Sequence, residues 1–265
     1  MMAEEYENHL GRRKSLLPKI SDSTLKLVGA ILMTLYFFSV AVIQNGVLRV
    51  NDYTPAQLND LLAADPEAML WASLASVAEV VGMIPISIFA YLLVQGVVHT
   101  SSMRRYALSV LAFALISEVP YDLAVYERVW SWESQNPLWT VFITLAALWL
   151  MRYVEGRGAM SYVLSVVAAL GGCLWTVLFR CKFGWGFVLI ASALYLLRRH
   201  RALSLIAGLG ASLTYLTPAM GFIFIAFSNG ARKTGDSLLG KYAYYVYYPV
   251  ILLLLALWAR MQRGE

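Results

Sequence analysis

Glu118 and Asp122 stand four residues apart, across Pro120, near the end of an otherwise apolar segment of membrane length. A charged side chain at bilayer depth costs roughly 2.5–3.5 kcal/mol on insertion scales, so acids held there usually have a role. Pro120 frees the backbone carbonyl near Ile116 and tends to kink the helix. A kinked helix end with two carboxylates can line a polar cavity and move protons there. It can equally be a structural pair that pins the bend.

Other side chains join these two as candidates. His99, in Gln95-Gly-Val-Val-His-Thr100, is the histidine best placed for a site, because an imidazole near neutral pH can act as general base. A helix-end hydrogen bond explains it as well. Glu79 lies inside a span without a local partner, so it faces the bundle interior as a site or helix-pairing residue. Gln135 and Asn136 open the segment after Asp122 and can hydrogen-bond a carbonyl or an acceptor. The tyrosines of 242–248 cover every face of a helix start; most suit the membrane interface, and one such as Tyr248 can donate into a cavity. Cys173 and Cys181 are eight apart, without a CxxC motif or clustered histidines, which fits inert thiols better than a metal site. No phosphate-binding loop, dinucleotide glycine fingerprint or GxSxG nucleophile motif is present.

The elements that must position these residues are transmembrane helices. Of 265 residues, 60% are hydrophobic and 14% charged, and the mean hydropathy is +0.63. These values predict an all-α, polytopic membrane bundle without β-sheet. Apolar segments fall at roughly 24–48, 68–98, 105–124, 136–153, 160–179, 183–198, 202–228 and 240–259. The second contains Gly82 and Pro85, which predict a break. The seventh contains Gly208, Gly210 and Pro218, so it reads as one helix or as two short ones, giving eight or nine spans. Residues 1–23 read as a basic cytoplasmic segment and 24–260 as a single transmembrane domain. The first apolar run lacks a small-residue cleavage site and reads as a retained span.

Basic residues set the orientation. Arg12, Arg13, Lys14 and Lys19 precede the first span, and Arg104, Arg105, Arg152, Arg157, Arg198 and Arg199 occupy every second loop. The alternate loops are acidic, with Asp52, Asp60, Asp65, Glu67, Glu127 and Glu133. A cytoplasmic amino terminus in a cell membrane follows from that asymmetry. The net charge of +5 reports these loops and implies no nucleic-acid partner. Arg180 and Lys182 fall on the outer side, a mild violation of the pattern.

In order and spacing, several pieces resemble the TraX family, the pilin-acetylase relatives among multi-span acyltransferases. They are Ser23-Thr-Leu-Lys26, Pro85-Ile-Ser-Ile-Phe89, Gln95-Gly96 with His99-Thr100, and Ile116-Ser-Glu118-Val-Pro120-Tyr-Asp122. Gln135-Asn136, Phe183-Gly184-Trp-Gly186, Asn229-Gly230 and Tyr247-Tyr-Pro249 follow. The resemblance covers roughly 24–258 and implies transfer of an acetyl group from acetyl-CoA to an amine or hydroxyl at or across the membrane. The acceptor would be a protein amino terminus, a glycan or a lipid. On that reading Glu118, Asp122 and His99 are the catalytic candidates. Gln135, Asn136, Glu79, Gln95 and Tyr248 would bind substrate, and Arg104, Arg105, Arg232 and Lys233 would hold coenzyme A; no metal is implied. The chain departs from the family pattern in the first span, where Leu35-Tyr36 replaces Asp-His. It departs again at Ile251, in place of a histidine, and at Gln95, in place of a glutamate. The departures keep open a catalytically silent relative that binds a lipid, glycan or partner subunit. Broken helices with buried acids also suit a small transporter, for which the expected inverted repeats are missing from the sequence.

Overall fold

The computed structural model describes residues 20–213, 217–228 and 238–264, with side chains described from Ala243 onward in the last segment. Arg232, Lys233, Asn229-Gly230 and the basic residues before Ile20 lie outside the described residues. The described chain is helical, apart from two isolated bridge contacts, Ile20 with Ser228 and Gln135 with Cys181.

Helix α1 (Asp22–Phe38) begins where Ser21 caps the Thr24 amide at 3.2 Å, with Asp22 favourable in the first turn. It continues through a wider π-helical stretch, Ser39–Val47. That stretch turns Asn45 inward, where its amide donates to the Ala124 and Val125 carbonyls, groups at a helix end that otherwise lack partners. Helix α2 (Pro55–Ala64) lies in what the sequence suggests is a loop; Thr54 and Gln57 form a capping box that starts it.

Helices α3 (Pro66–Gly82) and α4 (Pro85–His99) are the two halves of the broken second segment. Gly82 is at the break because Tyr36 packs directly on it: a Cβ there would stand 2.6 Å from the Tyr36 Cβ and 2.7 Å from its backbone. Gly82→Ala is therefore expected to lower stability by about 1–3 kcal/mol, since backbone cannot yield as a side-chain tip can. Thermal unfolding in detergent measures this.

Helix α5 (Met103–Tyr126) carries Pro120, and α6 (Pro137–Val154) starts at Asn136, whose side chain accepts from the Leu138 amide at 2.9 Å. Helix α7 (Ala159–Leu178) turns through residues 179–183 into α8 (Gly184–Leu196). Helix α9 (Arg201–Ser212), a 3-10 turn (Thr217–Met220) and α10 (Gly221–Ala226) follow, and α11 (Leu238–Arg263) ends the bundle.

Among the described residues, six segments are long and apolar enough to cross a membrane: 22–47, 66–99, 103–126, 137–154, 159–178 and 243–263. The other two expected spans are shorter. Helix α8 has 13 residues, or about 20 Å at 1.5 Å per residue, against a hydrocarbon core of about 30 Å. The expected seventh segment is broken near Pro218 into α9 and α10. Both ends of that pair return to one face. The Ile20 amide donates to the Phe227 carbonyl at 2.9 Å, and Arg201 donates to the Ser228 carbonyl.

Two faces of the bundle are thereby defined. The amino-terminal face carries Ile20, Ser228 and the end of α4, where Arg152 donates to the Val97 carbonyl at 2.8 Å. On the far face Arg263 joins the end of α11 to Asp52, at 2.9 Å, and to Glu127. Between the faces the core is built on Leu25, Ile88, Leu145, Leu148 and Ile190, with a second cluster around Phe37, Tyr121 and Leu252. Helix α7 leaves Val163, Val167, Leu170 and Leu174 exposed, the surface a lipid-facing helix presents.

Candidate functional site

Glu118 and Asn136 meet across α5 and α6. The Asn136 amide donates to Glu118 Oε2 and to the Ala114 carbonyl at 2.8 Å, while Trp139 Nε1 donates to the same carboxylate at 3.0 Å. Asp122 Oδ2 accepts from the Ser131 amide at 2.8 Å. Glu118 is 4% exposed, and Asp122 and Asn136 are fully buried. The second oxygen of each carboxylate has no hydrogen-bond partner among the described residues.

These residues do not share a wet pocket with His99. A cavity of 680 Å³ runs up the inside of the bundle, and neither Glu118, Asp122, Gln135 nor Asn136 lines it. Its mouth, at the amino-terminal face, holds Lys26, His99, Ser102 and Arg105. Its walls are largely apolar, including Ile86, Phe89, Leu93, Val141 and Phe187. Its inner end holds Thr140, Lys182, Tyr248 and Ile251. The Tyr248 hydroxyl is buried with no hydrogen-bond partner among the described residues. Thr34 and Tyr247, hydrogen-bonded at 2.5 Å, close the wall between α1 and α11.

The remaining sequence candidates divide between these regions. His99 is exposed at the mouth, and its Nδ1 lies 2.8 Å from the Gln95 carbonyl. A carbonyl only accepts, so Nδ1 carries the proton and Nε2 of the neutral ring is left with its lone pair. Gln95 enters through its backbone alone, as the acceptor for His99. Arg104 and Arg105 are both exposed; Arg105 lines the mouth and Arg104 does not. Glu79 takes a hydrogen bond from Gln44 in the π-helical stretch. Gln135 contributes its backbone, accepting from the Lys182 amide at 3.0 Å and donating to the Arg180 carbonyl at 3.1 Å.

Lys182 is the residue that sequence reasoning missed. Instead of facing outward as a loop residue, its ammonium lies 5.6 Å from the centroid of the Tyr36 ring. Glu79, Tyr36 and Tyr126 supply its electrostatic surroundings. The segment is held in place from three sides. Gln135 pairs with it through the backbone, Thr140 donates to the Lys182 carbonyl at 2.5 Å, and the Cys181 amide donates to the Thr176 carbonyl at 2.8 Å. The one sequence signal was its breach of the positive-inside pattern.

Cys173 and Cys181 are both free. Burial, reinforced by the negative field of Glu118, pushes the Cys181 thiol up to about 12, so it stays protonated and inert near neutral pH. Among the described residues no group of three His, Cys, Asp or Glu side chains could hold a metal ion.

Residues 21–259 match the family model described as TraX protein. The chain belongs to the TraX family. No curated protein and no solved structure gave a match. Within this TraX chain, Tyr36 and Ile251 both lie by the inner end of the cavity, Ile251 in its wall and Tyr36 beside Lys182.

Proposed function

We propose that this TraX protein is a membrane-embedded acyltransferase that moves an acetyl group from acetyl-CoA to an amine or hydroxyl acceptor at or across the cell membrane. The observation that carries this reading is the long cavity, with cations at one end and buried polar groups at the other. Lys26 and Arg105 suit the phosphates of coenzyme A, because charge-assisted hydrogen bonds favour such anions. The apolar walls suit a narrow acyl-bearing arm, which carries the thioester toward Thr140, Lys182 and Tyr248. With the amino terminus cytoplasmic, the mouth opens to the compartment that supplies acyl-CoA. Glu118 and Asn136 act from behind the inner end, fixing α5 against α6 where the acceptor approaches, and Asp122 fixes α5 to the connection at Ser131.

Purified protein incubated with isotopically labelled acetyl-CoA tests the reading by acetyl release or transfer. Arg105→Glu is expected to weaken acetyl-CoA binding roughly tenfold, the size of a charge reversal at a partly solvated site. Arg104→Glu, off the cavity wall, is expected to change it much less. Equal effects of the two substitutions would contradict a donor seated in this mouth. The sealed environment of Glu118 and Asp122, which leaves no acid on the cavity wall, favours a second reading as a silent relative. Acetyl-CoA binding without turnover would select it.

A further inference from the structure

A second hollow, of 370 Å³, opens on the far face between the 126–134 loop and residues 176–185. Tyr126, Ser134, Arg180 and Lys182 give it a polar lining. Lys182 and Phe183 belong to both this hollow and the long cavity. They are the wall between a space reached from the amino-terminal face and a space reached from the far face.

The backbone around that wall is built for the purpose. Arg180 and Phe183 both adopt left-handed conformations, with φ of 52° and 60°. Such conformations are unfavourable for non-glycine residues and persist where surrounding contacts over-determine them, commonly at functional sites. Here they bracket Lys182 and direct a lysine from a helix connection into the bundle. The ammonium lies over the Tyr36 ring, with Glu79 contributing to its field, and Lys182 borders both voids.

We propose that Lys182 is a catalytic residue whose ammonium receives the thioester carbonyl oxygen where the two voids meet. The proposal rests on the acyltransferase reading and gives that reaction its location. The acceptor enters through the far hollow and its nitrogen or oxygen attacks the carbonyl carbon. As that bond forms, the carbonyl electron pair moves to oxygen and is held by Lys182. The carbon–sulfur bond then breaks, sulfur leaves with its electron pair, and the proton lost by the acceptor neutralises the thiolate. Lys182 is charged before and after. Tyr248, on the cavity side, is the neighbouring donor.

Site-directed labelling tests the junction independently of turnover. In vesicles of known orientation, and in a Cys173→Ser/Cys181→Ser background, single cysteines are exposed to a membrane-impermeant methanethiosulfonate from each side. Thr140→Cys is expected to react from the amino-terminal face only and Ser134→Cys from the far face only. Lys182→Cys is expected to react from both. Phe183→Cys, which borders the same two voids, serves if Lys182→Cys fails to fold. Labelling of the junction from one side alone would overturn the two-sided arrangement.

The catalytic role is read in the otherwise native protein. Lys182→Met is expected to lose about 10²–10³-fold in kcat, the range for removing one oxyanion donor, with little change in KM for acetyl-CoA. Lys182→Arg is expected to recover part of the loss. An unchanged kcat in Lys182→Met would overturn the role. A wild-type protein without transferase activity would remove the catalytic role together with the parent reading, while two-sided labelling would still establish the junction.

Discussion

Asn136→Leu is expected to destabilise the protein by roughly 2–4 kcal/mol, combining a lost helix cap with a buried carboxylate stripped of a partner. Asn136 serves three groups at once: the Leu138 amide, the Ala114 carbonyl and Glu118. Leucine fills a similar volume and satisfies none of them. Trp139 remains on Glu118 and limits the damage. Glu118→Leu alone strands the Asn136 amide, but the double replacement removes both halves of the interaction. The double variant should therefore be less destabilised than the sum of the singles by at least about 1 kcal/mol. Unfolding of all four proteins in detergent gives the cycle. Additive effects would mean that the two side chains do not depend on one another. Glu118→Gln preserves shape and hydrogen bonding, so it should retain transferase activity within a few-fold; complete loss would return Glu118 to the reaction itself.

Val141→Trp should separate folding from function more sharply. Val141 lies on the wall of the 680 Å³ cavity, partway between Arg105 and Lys182. An indole placed there has open space to occupy, so unfolding temperature should hold or rise, as for other cavity-filling changes. Acetyl-CoA binding should fall at least about a hundredfold, close to 2.7 kcal/mol, because the arm and the indole compete for one volume. Binding is measured by equilibrium dialysis and stability by thermal unfolding of the same sample. Retained binding would show that the donor does not run through this cavity.

The sequence was most legible where one residue determines its own surroundings. Apolar runs of sufficient length became membrane-length helices, since lipid leaves a backbone few other options. Gly82 with Pro85, and Pro218 among small residues, marked breaks because their effects on the backbone are local. Glu118 and Asn136 could both be singled out, but their pairing depends on how α5 and α6 pack. That packing also explains why the acids are sealed instead of facing water. Lys182 was hidden for a related reason. Its place in the chain is a helix connection, and only the approach of Tyr36 from α1, together with the Gln135 bridge, turns it inward. Helix α8 ends where the apolar run ends, at the Arg198-Arg199-His200-Arg201 cluster, and its 13 residues are too few to cross the hydrocarbon core.

On the proposed mechanism, one cavity carries an acyl donor from a basic mouth to Lys182. A structure of the protein with acetyl-CoA bound measures this most directly. Phosphates are expected beside Lys26 and Arg105, with the thioester carbonyl oxygen within hydrogen-bond distance of Lys182 Nζ. Acetyl-CoA seated outside the cavity, or with its thioester left at the mouth, would contradict it.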